Sequence, residues 1–134
     1  MANATFRWSA RILFIDTDAS GRIHYTSMFR YFEATELEFF RSIGVLHEHP
    51  GVSFPRVHVE CDYRTALCFD DPIVVEVWIG RLGNTSIQLK FRVLKDGVDA
   101  AGGSVVIACI DRATQRSTAI PQNVREKLQP WVSL

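Results

Sequence analysis

Asp16-Thr17-Asp18-Ala19-Ser20-Gly21-Arg22-Ile23-His24-Tyr25 is the one stretch that concentrates reactive groups at a strand–turn–helix junction. A carboxylate just ahead of a helix faces unpaired backbone N–H groups and the positive end of the helix dipole. Those N–H groups can polarise a carbonyl oxygen and hold the oxyanion that forms from it. An acid acting as nucleophile or general base beside such donors is a constellation for acyl transfer. On spacing alone, Asp-Thr-Asp followed by Gly reads first as a turn and helix cap, with acyl transfer as the alternative.

Other reactive groups are more scattered. His47-Glu48-His49 has the look of a metal pair, but no third or fourth ligand lies nearby and Pro50 follows, so it reads as a solvated loop. Ser20 precedes Gly21, yet no G-x-S-x-G elbow exists, which argues against a serine hydrolase. His58 falls on the polar face of its strand. Gly102-Gly103 lacks a phosphate-loop context and suggests a strand bulge or a close backbone approach. Cys61, Cys68 and Cys109 are odd in number and without metal spacing, which suits a reduced cytoplasmic compartment.

The elements around the acidic stretch follow from hydrophobic period. Residues 6–15 read as a strand ending in Ile12-Leu13-Phe14-Ile15, broken by the turn formers that follow. From about Ser27 to Ser42 there is no Gly or Pro, and Gly44 closes the segment as a helix cap. On a helical wheel Met28, Phe29, Phe32, Phe39, Phe40 and Ile43 share about one-third of the circumference. Glu36 sits in the middle of that arc, either paired with an arginine or facing a pocket. Past Pro55 the period becomes 2. Val57, Val59, Cys61 and Tyr63 alternate with polar residues, then Ile73 to Ile79, then Ile87, Leu89, Phe91 and Val93. Asp96-Gly97 signals a hairpin into a last strand of about Val98 to Asp111, and Pro121 opens a short helix to about Leu128. The expected fold is α+β: one long helix against a curved five-stranded antiparallel sheet, in one domain spanning residues 1–134.

Composition narrows the function classes. Lys+Arg and Asp+Glu both total 15, for a net charge of zero, whereas a duplex nucleic-acid binder is usually basic. Residues 1–80 carry 7 basic and 11 acidic side chains (−4) and residues 81–134 carry 8 and 4 (+4), which could dock an anionic ligand or mate the two halves. Arg7 and Arg11 interrupt the apolar stretches at the start, so no signal sequence is expected, and no run approaches the ~20 apolar residues of a membrane span.

The string Phe14-x-Asp16-Thr17-Asp18-Ala19-Ser20-Gly21-x-x-His24-Tyr25, then Met28-Phe29-Arg30-Tyr31-Phe32-Glu33 and Phe39-x-Arg41-x-x-Gly44, resembles the hot-dog-fold acyl-CoA thioesterases. The nearest type is the 4-hydroxybenzoyl-CoA thioesterase family, with the related enzymes of the bacterial Tol–Pal cluster. The resemblance spans nearly the whole chain, and it implies a hot-dog fold and hydrolysis of a thioester of CoA or of an acyl carrier protein. It implies Asp18 as the catalytic carboxylate and Tyr25 as the residue whose backbone N–H meets the thioester carbonyl. His24, at a position that varies among relatives, is the third catalytic candidate. Relatives pair sheet to sheet, so a homodimer or homotetramer with its site at the subunit boundary is implied, with no cofactor and no metal. Candidate substrate contacts are Phe29, Phe32, Glu36, Tyr63, Lys90 and Arg92. Two departures stand out: Glu36 replaces a helix position that is often basic, and Leu82-Gly83-Asn84-Thr85 replaces a basic cluster that holds the nucleotide. Two rival readings are a non-catalytic acyl-CoA-binding module and an enoyl-thioester hydratase on the same fold.

Overall fold

In a computed structural model, which describes residues 4–45 and 49–133, the periodic segments fold as strands and helices in the expected order. They are β1 (Phe6–Arg11), α1 (Met28–Ile43), β2 (Val52–Ser53), β3 (Arg56–Tyr63), β4 (Pro72–Leu82), β5 (Ser86–Lys95), β6 (Val98–Ala108), β7 (Ile110–Asp111) and α2 (Gln122–Leu128). His47 and Glu48 lie outside the described residues. The main sheet is antiparallel with strand order β1-β4-β5-β6-β3, and β2 and β7 form a separate two-stranded ribbon that the period did not foretell. Among the described residues no helix is long and apolar enough to cross a membrane.

One face of the sheet and one stripe of α1 make the core. Met28, Tyr31, Phe32, Thr35, Glu36, Phe39 and Phe40, at i, i+3, i+4 spacing, are the buried positions of the helix. They meet Ile73, Val75, Val77 and Ile79 of β4, and Ile87, Leu89, Phe91 and Val93 of β5, all nearly fully buried. Gly44 ends the helix in the left-handed conformation at φ 76°. Gly103 is needed for a different reason. A Cβ there would lie 2.9 Å from the Phe32 ring and 2.2 Å from the Glu60 carbonyl. The missing side chain lets Phe32 settle on the sheet and stack on Phe91 at 4.3 Å. The glycine pair therefore makes the close approach and no bulge. Cys61 and Asp62 face it in regular register, and the β5–β6 irregularity falls between Val93 and Leu94.

Two apolar segments do not go where their alternation points. β1 stops at Arg11, and Leu13, Phe14 and Ile15 form part of a turn with side chains 50%, 76% and 79% exposed. The chain is drawn off the sheet by Asp16, which is buried, and by the Tyr31 hydroxyl, which accepts the Leu13 N–H at 2.8 Å. β3 is the second case. Its apolar face is also open, with Val57, Val59 and Tyr63 61%, 47% and 42% exposed. Five strands at ~4.8 Å spacing are over 20 Å wide, while one helix covers about 10 Å. α1 lies over the β1–β4 side, so the opposite edge strand is left uncovered.

Candidate active site

The acidic stretch folds as a small zipped loop. Thr17 and Ile23 form an antiparallel bridge, the Asp18 N–H donates to the Arg22 carbonyl at 2.8 Å, and the Gly21 N–H returns to the Asp18 carbonyl at 3.0 Å. The turn requires Gly21 at φ 83°, a conformation that side-chain-bearing residues adopt only with strain. Its far side is tied down by the Ile23 N–H to the Leu67 carbonyl and the Phe69 N–H to the Gly21 carbonyl.

On this loop the Asp18 side chain is exposed, and its Oδ1 accepts both the Ser20 hydroxyl at 2.6 Å and the Ser20 N–H at 2.8 Å. The hydroxyl, then the N–H, of Ser20 hold the Asp18 carboxyl below the usual carboxylate range. Oδ2 takes part in neither of these Ser20 bonds, and the Arg22 N–H adds a weaker pull on the carboxyl in the same direction. The result is an exposed carboxylate that is ionised at neutral pH, with one oxygen outside the Ser20 bonds. Such a carboxylate is competent as a nucleophile, and its depressed pKa makes it a weak base.

Tyr25 stands three residues before the first helical residue of α1. The Ser27 N–H closes a turn on the His24 carbonyl at 2.9 Å, and among the described residues the Tyr25 N–H meets no acceptor. The Tyr25 carbonyl is occupied by the Tyr63 hydroxyl, which fastens the end of β3 to the helix start. His24 is engaged locally, with its Nδ1 accepting the Thr26 N–H at 3.2 Å and lying 2.7 Å from the Thr26 hydroxyl. Its ring stacks on Tyr25 at 4.6 Å. Arg22, Ile23, Tyr25, Tyr63, Arg64 and Leu67 line an open cleft of about 280 Å³.

The other expected contact residues scatter. Phe29 is half-buried and meets Phe32 edge-on at 5.8 Å, and Phe32 itself is enclosed in the core. Glu36 is buried and paired with Arg56 of β3, the first of its two readings. Lys90 and Arg92 alternate with core residues and so lie on the sheet face opposite α1, around a second depression with Trp78, Glu60 and Ser104. Arg92 is engaged there, 2.8 Å from Glu76 and above the Trp78 ring. Two features escaped the sequence. Ser20, weighed only as a nucleophile, is the partner of Asp18, an i+2 spacing that Asx turns favour. Arg125 of α2 donates to the Gly83 and Asn84 carbonyls at 2.7 and 3.2 Å, bringing a cation to a loop that has none of its own. Among the described residues no cluster of His, Cys, Asp and Glu could hold a metal ion.

Residues 12–128 match the family model described as the thioesterase-like superfamily. The chain is similar to the acyl-CoA thioesterase YbgC of Haemophilus influenzae, 24% identical over 129 residues that make up 93% of this chain and 95% of that protein. Its fold is similar to that of a 1,4-dihydroxy-2-naphthoyl-CoA thioesterase from Synechocystis, with a TM-score of 0.88, 14% identity and coverage of 94% and 96% of the two chains. It is also similar in fold to a Staphylococcus aureus protein solved in complex with CoA, with a TM-score of 0.87, 19% identity and coverage of 98% and 85%.

Proposed function

Since the chain belongs to the thioesterase-like superfamily and has its hot-dog fold, we propose that it hydrolyses acyl-CoA thioesters to the free acid and thiol, using the Asp18 loop and the helix start at Tyr25. The observation that carries this reading is an ionised carboxylate on the loop that leads into α1, with its Oδ2 outside the Ser20 bonds, followed by an uncommitted N–H at Tyr25 just ahead of the helix. That N–H would donate a hydrogen bond to the tetrahedral oxyanion and stabilise its charge. In the nucleophilic route Asp18 Oδ2 bonds to the carbonyl carbon and the C–S bond breaks. The thiolate takes a proton from water, and a second water cleaves the acyl anhydride to restore Asp18. In the other route Asp18 removes a proton from the attacking water, a role its low pKa suits less well.

Acyl-CoA thioesters are the substrate class because the curated relative is named for that activity. A second copy of the chain completes the site in this reading. The free edge and open apolar face of β3 support sheet-to-sheet pairing, and Tyr63, at the end of that strand, reaches the Tyr25 carbonyl. Pairing would therefore enclose the cleft that the single chain leaves open. Lys90 and Arg92, on the opposite face, would meet only the outer part of a carrier.

Thiol release from a panel of acyl-CoAs tests the proposal. Turnover is expected in the wild type, with a loss of roughly 10²–10⁴-fold in Asp18→Asn and little change in melting temperature, since Asp18 is exposed. Binding without thiol release would make the chain an acyl-CoA-binding module. A 3-hydroxyacyl product would make it a hydratase. Full activity in Asp18→Asn would remove the assignment.

A further inference from the structure

The buried carboxylate of Asp16 lies two residues before Asp18, and the proposed reaction does not use it. Every acceptor of Asp16 is taken. Oδ2 accepts the Tyr31 hydroxyl at 2.8 Å, Oδ1 lies 2.9 Å from Arg30 Nε, and the backbone carbonyl accepts the His24 N–H at 2.8 Å. The Tyr31 oxygen is itself held by the Leu13 N–H at 2.8 Å. One residue thus joins the turn after β1, the first turn of α1, and the residue immediately before Tyr25.

A buried carboxylate is costly to keep, and apolar side chains of similar shape would fill the space at least as stably. Packing alone gives no reason for this network. Its attachment points give one: Asp18 follows Asp16 by two residues, and Tyr25 follows His24 by one. We propose that Asp16 and Tyr31 are positioning residues that fix the Asp18 carboxylate and the Tyr25 N–H at one mutual distance. The inference rests on the thioester-hydrolysis reading above. Burial pushes the Tyr31 phenol up to about 12, so its hydroxyl stays protonated and keeps donating throughout the working pH range.

Tyr31→Phe removes one oxygen and leaves the ring packed. Displacing a reacting group by about 1 Å can cost 10²-fold, so kcat is expected to fall about 10–100-fold with KM held within about threefold. In the Asp18→Asn background the same change should cost less than in the wild type, because the part of its effect that runs through the Asp18 carboxylate is already lost. Arg30→Gln changes a mostly exposed side chain and is the arm that keeps the fold; a drop in kcat of about 3–10-fold, again with KM held, is expected of it. A purely structural role would lower the melting temperature and leave kcat per folded molecule unchanged. An active wild type, an inactive Asp18→Asn, and unchanged kcat in Tyr31→Phe or Arg30→Gln would overturn the inference alone. Full additivity of Tyr31→Phe with Asp18→Asn would also overturn it. A wild type that releases no thiol would overturn the reading of the site, and this inference with it.

Discussion

Replacing Val59 with aspartate puts a carboxylate in the middle of the open face of β3. In the single chain the cost is small. Val59 is about half exposed, opposite Val105 in the register, and the new carboxylate remains in water. In a sheet-to-sheet dimer the same position closes against the partner. Burying the exposed half of a valine is worth about 1 kcal/mol, half of the full-burial value. Enclosing an unpaired carboxylate costs several kcal/mol more. A two-fold interface presents each change twice, so the dimer should weaken by about 6 kcal/mol or more, roughly 10⁴-fold in dissociation constant. Sedimentation velocity from micromolar to nanomolar concentration reads the assembly, and thiol release over the same range reads the activity. The expected result is a wild-type dimer, and a Val59→Asp chain that is folded, monomeric and inactive. A Val59→Asp dimer as tight as wild type, or a wild-type monomer that turns over, would refute this account of the open face.

Ser20→Ala removes the largest influence holding the Asp18 carboxyl low, so that pKa should rise. The reacting form is the carboxylate, so the acid limb of kcat/KM should move to higher pH, with a greater loss near pH 5 than near pH 7; an unmoved limb would separate Asp18 from the limb. Glu76 is buried on the outer face; burial raises its pKa, but hydrogen bonds from Arg92 and Arg7 outweigh this and leave it below its ordinary 4.5. A depressed folded-state pKa contributes stability above the unfolded value that is lost as pH falls through the folded one. The melting temperature of Glu76→Gln should therefore lie below wild type at pH 7, and the gap should close as pH falls from the ordinary 4.5 through the depressed folded-state value; a gap that does not shrink with acid would contradict the linkage. An acyl-pantetheine thioester should keep kcat/KM within about 30-fold of the matching acyl-CoA, because exposed cations contribute at most ~1 kcal/mol each and Arg92 is already engaged by Glu76. A loss beyond about a thousandfold would show a strong nucleotide grip.

The period of apolar residues was enough to place α1, the four later strands of the sheet and the hairpin at Asp96-Gly97, because a core stripe at 3.6 or 2.0 residues is a local property of the chain. The Asp18–Tyr25 string was likewise legible, being short and contiguous. What the sequence left open depended on partners far along the chain. Ile12-Leu13-Phe14-Ile15 has a strand's composition, yet three of the four turn outward because Asp16 is bonded by Arg30 and Tyr31, 14 and 15 residues on. Glu36 had two readings until β3 brought Arg56 to it. Arg92 was a candidate substrate contact, and only the β4–β5 register showed that it faces Glu76. Arg125, 41 residues beyond Asn84, reaches the loop whose own residues carry no cation. In each case the residue's type specified what it could bond, and the fold's topology decided which of several chemically equivalent partners came within 3 Å. The open face of β3 is the clearest instance. Its alternation specified an apolar face, but only the width of the sheet relative to one helix left that face for something other than the core.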